Sequence, residues 1–172
     1  MYDLHSILIQ LKKEDTPLHG VMVRCVRCFY QWLDPTPWEG SALFELWAQE
    51  LELIYGDLRQ RLSPNAKTDA GSLGDRFGFD TPPELPRLLQ SIQTFYSVLI
   101  KLIAWNTLRG ATPEPPLTEL LSGRAFVNRG IRNFCGDDWY IWPLDIWDPA
   151  LETQCEELRA CLESFDTCPE GS

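Results

Sequence analysis

A chain of 172 residues has the length of one domain, and its 44% hydrophobic content, with seven Trp and eight Phe, supplies enough apolar surface for a sizeable core. The net charge of −10 argues against an autonomous DNA-binding module, because neutralising phosphates needs a basic face. Six cysteines fall mainly within helical patterns and read as reduced, buried thiols of a cytoplasmic protein. No signal peptide is read at the start, and no run reaches the ~18 apolar residues of a bilayer span.

In chain order, Asp3 to Lys13 is a short amphipathic helix with Leu4, Ile7, Leu8 and Leu11 on one face. Thr16-Pro17 opens a second helix, threonine as cap and proline in the first turn, carrying Val21, Cys25, Cys28, Phe29 and Trp32 at three- and four-residue spacings. Asp34-Pro35-Thr36-Pro37 ends it. A third helix is expected from about Ser41 to Leu62, with Leu43, Phe44, Trp47, Leu51, Ile54, Tyr55 and Leu58 as its apolar stripe. Ser63 to Asp80, holding Pro64, Gly71, Gly74 and Gly78, reads as a long loop.

Thr81-Pro82-Pro83-Glu84 has the form of a capping box and opens the most apolar helix, which should reach about Arg109 and stop at Gly110. Leu85, Leu88, Ile92, Phe95, Tyr96, Leu99, Ile103 and Asn106 follow one face, and Leu89, Val98, Leu102 and Trp105 widen it. A helix apolar on most sides belongs at the centre of a fold. After the stiff Pro113–Pro116 connector, Leu117 to Leu121 suits a short helix. An aromatic, acidic segment follows from Phe134 to Trp147. Asp148-Pro149 restarts a helix that buries Leu151, Cys155, Leu158, Leu162 and Phe165. With no hairpin pair and no repeat, the reading is all-α. Five or six helices form a bundle-like domain around the central apolar helix at about 82–109, with long irregular connections, and residues 1–172 are one helical domain.

No catalytic apparatus is complete. Gly71-Ser72-Leu73-Gly74 lacks the strand, helix and lysine of a phosphate loop. Cys25 and Cys28 supply two thiols, but His5 and His19 are the only histidines, so no zinc set is assigned and plain buried thiols are preferred. Asp137, Asp138 and Asp145 could pair as catalytic carboxylates, though capping or solvated acids are the commoner use. Lys101 sits inside the most apolar helix. It is either a functional lysine paired with the Asp137–Asp145 segment or, by preference, a snorkelling stem with its ammonium in water. Arg124, Arg129 and Arg132 are candidate phosphate contacts, against the preferred reading that they pair with carboxylates.

Two stretches carry a family resemblance. Gln93 to Ala104 (QTFYSVLIKLIA) resembles an "HTYxxLIKLIA" helix, and Asn133 to Trp147 (NFCGDDWYIWPLDIW) resembles an "NFLEGDFFSWYLDEW" segment. Leu43-Phe44-Glu45-Leu46-Trp47 followed by Tyr55-Gly56 is similar to an "FxxW…YG" helix. These features, in this order across most of residues 41 to 166, resemble the helical N-terminal region of N6-adenine-specific DNA methyltransferases of bacterial restriction-modification and phage-defence systems. Pro143 and Gln93 depart from the pattern.

The resemblance implies a role beside a catalyst, because the glycine-bearing cofactor turn and the Asn-Pro-Pro-Tyr-type loop that holds a flipped adenine do not occur here. The chain is then an N-terminal fragment of a larger enzyme, or a stand-alone subunit related to one. It is not itself an enzyme, and S-adenosylmethionine is expected only in the larger parent protein. The expected partner is the methyltransferase catalytic domain or a defence-system subunit, with weak or indirect DNA contact and no membrane. Lys101, Asp138, Trp139, Tyr140, Trp142, Asp145 and Trp147 are the candidate interaction or structural-core residues. The competing expectations are a stand-alone acidic interaction or regulatory protein of a defence system, for example one that imitates DNA or a partner through its acidic surface, and a small enzyme using the Asp137/Asp138/Asp145 cluster.

Overall fold

The computed structural model describes residues 4–33, 46–47, 49, 66–135 and 138–164, with side chains except at 66–70 and 138–139. Among these residues the chain is helical, without strands. In chain order the helices are α1 (Leu4–Lys12), α2 (Pro17–Trp32), α3 (Ala66–Arg76), α4 (Leu85–Leu108), α5 (Leu117–Leu121), α6 (Arg124–Val127), α7 (Asp138–Ile141) and α8 (Pro149–Glu163), with a 3₁₀ turn at Trp142–Leu144. Most of the helix expected at Ser41–Leu62 lies outside the described residues. Within it Leu46, Trp47 and Gln49 are helical, Trp47 buried and Leu46 exposed.

Two helix starts follow their sequence signals. The Thr16 hydroxyl accepts the His19 amide at 3.2 Å, and an Asp148 carboxylate oxygen accepts the Leu151 amide at 2.7 Å. Each satisfies one of the orphan N–H groups that every helix start leaves. The capping box at residues 81–84 does not form. Helix α4 begins at Leu85 with Glu84 as its cap residue, and the glutamate side chain makes no capping bond. Consecutive prolines hold the residues before them extended, so Thr81 and Pro82 stay outside the helix, and it is Pro86 that sits in the first turn. At the other end Gly110 takes a left-handed φ of +53°, the expected stop.

The expected loop at 63–80 is also corrected, since Ala66–Arg76 is helical. Of its two glycines, Gly74 serves packing, whereas a Cβ on Gly71 would meet nothing within 4 Å. A Cβ on Gly74 would lie 2.5 Å from the Cδ of buried Pro83, so only glycine lets α3 meet the chain that leads into α4.

Helix α4 packs against α2, α5, α7 and α8, and α2 packs against α1, α4 and α8. By length and composition α4 could cross a membrane, with a mean hydropathy of 1.2, contrary to the expectation that no segment would qualify. More than half of that stretch, 56%, is buried inside the fold, as in a core helix. Leu88, Phe95, Val98, Leu99, Leu102 and Trp105 are buried on it, whereas Tyr96 is exposed. The α8 face is buried at Leu151, Cys155, Leu158 and Leu162, and Phe165 lies outside the described residues. Two expected faces are narrower than their patterns. Leu4 and Leu8 of α1 are exposed while Ile7 and Leu11 are buried, and Trp32 at the end of α2 is exposed. Leu4 and Trp32 lie in end turns, which have neighbours on fewer sides, whereas Leu8 is at mid-helix and is exposed because only the Ile7 and Leu11 side of α1 is covered.

Candidate functional site

The two stretches that carry the resemblance lie against each other. Helix α4 supplies Gln93, Thr94 and Lys101, and the segment from α7 through the 3₁₀ turn supplies Tyr140 and Trp142. The Tyr140 hydroxyl donates to Gln93 Oε1 at 2.8 Å, and Trp142 Nε1 donates to Thr94 Oγ1 at 2.9 Å. Thr94 and Trp142 are both fully buried, and the indole meets the Phe29 ring of α2 edge-on at 5.8 Å. Trp142 is therefore a peg that ties α2, α4 and the 3₁₀ turn together. A buried indole N–H with a partner avoids the desolvation penalty an orphan donor would carry. Pro143 fits because it opens the 3₁₀ turn, where its missing N–H costs nothing.

Lys101 is buried at 3% exposure, and its Nζ donates to the Leu121 carbonyl at 2.7 Å. This corrects the preferred snorkelling reading. The carbonyl at the end of α5 is one of those a helix leaves unsatisfied, and an ammonium there is favoured by both the hydrogen bond and the helix dipole. Of the remaining predicted residues, Asp145 is exposed and Trp147 half-buried against the core. The side chains of Asp138 and Trp139, and residue Asp137, lie outside the described residues.

The three arginines part company. Arg124 and Arg132 are exposed. Among the described residues Arg129 pairs with no carboxylate and is bound instead to helix-end groups. Its guanidinium donates to the Leu108 carbonyl at 2.5 Å, to the Arg109 carbonyl at 3.0 Å and to the Thr112 hydroxyl, and lies 5.5 Å from the Trp105 ring centre. It closes the C-terminal end of α4. Arg87 does the same for α2, with Nε on the Tyr30 carbonyl at 2.6 Å and Nη2 on the Gln31 carbonyl at 3.3 Å. Cations supplied from elsewhere in the chain thus close the ends of α2, α4 and α5, none of which has a basic residue in its own last turn.

The thiols form a buried group between α2 and α8. Cys25 Sγ donates to the Gln154 carbonyl at 3.5 Å. Burial first, then the neighbouring Cys155 and Cys28, push the Cys25 thiol well above its ordinary range. Burial first and then Cys28 raise Cys155 to about 12. Such thiols are protonated and unreactive at neutral pH. Among the described residues no group of three or more His, Cys, Asp and Glu side chains is placed to hold a metal.

One concave feature escaped the sequence reading. A cleft of about 470 Å³ opens at the end of α2, lined by Arg27, Tyr30, Gln31, Phe79, Asp80, Thr81 and Arg87. Arg87 lies 4.1 Å from the Tyr30 ring centre, Tyr30 meets Phe79 edge-on at 4.8 Å, and Arg27 lies 5.8 Å from the Phe79 ring centre. Only the Arg27/Tyr30 spacing, one helical turn, was visible beforehand. The other half of the cleft comes from residues some fifty positions later.

Comparison with family models, curated proteins and solved structures finds no match for this chain.

Proposed function

We propose that the chain is a non-catalytic helical accessory domain of an N6-adenine-specific DNA methyltransferase, which positions the catalytic domain, the DNA or a partner subunit. The observation that carries this reading is the pairing of Gln93 with Tyr140 and of Thr94 with Trp142. The two segments that resemble the methyltransferase region, some forty residues apart, supply opposite halves of one buried seam, as parts of a common ancestral unit would. On this reading α4 is the centre of one bundle-like domain, S-adenosylmethionine belongs to the larger parent protein, and the setting is cytoplasmic.

The test is the reading frame and its neighbours. A cofactor-binding strand-to-helix turn and an Asn-Pro-Pro-Tyr-type loop should follow in the same frame or in an adjacent gene, and the product should co-purify with this chain. A frame that stops at Ser172 with no methyltransferase gene beside it would sink the reading. The net charge of −10 favours a second reading, an acidic regulatory protein that competes with DNA for a basic partner. Under that reading the chain would displace DNA from its partner, with competition fading as salt rises. The accessory-domain reading expects only weak direct DNA binding at ~150 mM salt.

A further inference from the structure

Three charged side chains line the cleft at the end of α2: Arg87, held by the Tyr30 and Gln31 carbonyls, and the opposite charges Arg27 and Asp80, which do not meet. Arg27 and Asp80 both line it, yet among the described residues neither makes an ion pair or hydrogen bond, and the one interaction of the Arg27 side chain is with the Phe79 ring. Carboxylates are not scarce, since acidic side chains outnumber basic ones 25 to 15. The Tyr30 side of the lining is fixed in place. The Tyr30 hydroxyl accepts the Glu84 amide at 3.0 Å, and Arg87 is anchored on the Tyr30 carbonyl while covering its ring. A preformed surface lowers the ordering cost of binding. The volume, about 470 Å³, falls within the range of small-molecule sites, roughly 300–1,000 Å³.

We propose that this cleft binds a small zwitterion of the α-amino-acid class. The carboxylate of the ligand sits on Arg27, its ammonium on Asp80, and its apolar body over the edge where Phe79 meets Tyr30. Arg87 adds a second positive charge to the lining, with Nε and Nη2 held by the Tyr30 and Gln31 carbonyls. A simple anion would therefore gain the arginines but leave Asp80 unmatched, and a simple cation would gain Asp80 but face both arginines. A ligand carrying both charges satisfies Arg27 and Asp80 together.

The test is a titration of amide shifts in the full chain with a panel of amino acids (leucine, phenylalanine, glutamine, arginine). For leucine, the panel includes its singly charged analogues 4-methylpentanoate and 3-methylbutylamine. A member of the panel should give saturable shifts at Gln31, Phe79 and Asp80, and each singly charged analogue should bind more weakly. Arg27→Gln and Asp80→Asn should each weaken the amino acid by about fivefold, the size of one exposed ion pair, with thermal midpoints unchanged. Three results would each overturn the proposal: no saturable shift with any amino acid, 4-methylpentanoate binding as well as leucine, or Asp80→Asn tightening the ligand.

Discussion

The two ends of the α4 region each carry an exposed arginine over an aromatic ring, and the two are built differently. At the C-terminal end Arg129 covers Trp105 and donates to two helix-end carbonyls and a hydroxyl. At the N-terminal end Arg27 covers Phe79 and donates to nothing among the described residues. The ring contact is common to both, so it cannot tell their roles apart. What differs is donor saturation. A guanidinium whose N–H groups are taken up by helix-end carbonyls is part of the fold, and one whose donors face a cleft is open to a ligand. Lys101 and Arg87 fall on the same side as Arg129, each occupied by a helix-end carbonyl. The closed set should therefore govern stability and the open cleft should leave it nearly untouched.

The largest loss of stability is expected from Trp142→Ala, since the indole N–H of Trp142 is likewise taken up inside the fold. It empties a fully buried indole site and leaves Thr94 Oγ1 without its donor, and should cost about 3–5 kcal/mol in urea unfolding. Trp142→Phe should recover much of this, because the ring contact with Phe29 is retained while the hydrogen bond is not. A loss below ~1 kcal/mol for the alanine variant would place Trp142 outside the core.

The buried thiols give the next effect, and its sign is fixed by linkage. Cys155 is held protonated up to about pH 12 in the folded chain, against an ordinary value of 9.0. Between those values the unfolded chain has lost the proton and the native chain keeps it. Stability therefore falls as pH rises above about 9, by up to ~1.4 kcal/mol per pH unit for this thiol, and is independent of it below. Cys155→Ala should flatten the alkaline slope of the urea midpoint by that amount. An unchanged slope between about pH 9 and 10.5 would mean the thiol is not shielded.

Those two regions also differ in how much the sequence disclosed. The Thr16 and Asp148 caps, the α8 face and the apolar α4 were legible because each signal is local, a cap or a periodicity within one helix. The roles of Lys101, Arg129 and Arg87 were not. Each closes a helix that it does not belong to, and no local pattern encodes a partner 20 or 57 positions away. Helix α3 was missed for a related reason, since Gly71 and Gly74 signal a loop unless the approach of Pro83 is known. The aromatic segment was recognised as important, but its direction was hidden. Trp142 points inward while Asp145 faces solvent, and only the 3₁₀ turn decides which.

Lys101→Met tests the interior cation at nearly constant volume. The Leu121 carbonyl loses its donor, and the variant should be less stable by about 1–3 kcal/mol. A variant as stable as the parent would show that desolvation of the ammonium offsets what its hydrogen bond contributes.

The smallest effect decides the comparison most directly, because it sets the same substitution at both arginines. Lysine keeps the charge and the contact over the ring but cannot reach two carbonyls and a hydroxyl at once. Arg129→Lys should therefore lose about 1 kcal/mol, discounted for its exposure, through fraying of the last turn of α4, visible as faster amide exchange at Leu108 and Arg109. Arg27→Lys should change stability by less than about 0.5 kcal/mol, because no acceptor among the described residues depends on it. Equal losses at the two sites would mean that the ring contact, and not donor saturation, is what these arginines contribute. A loss confined to Arg129 would separate a cation that holds the fold from one that the fold leaves open.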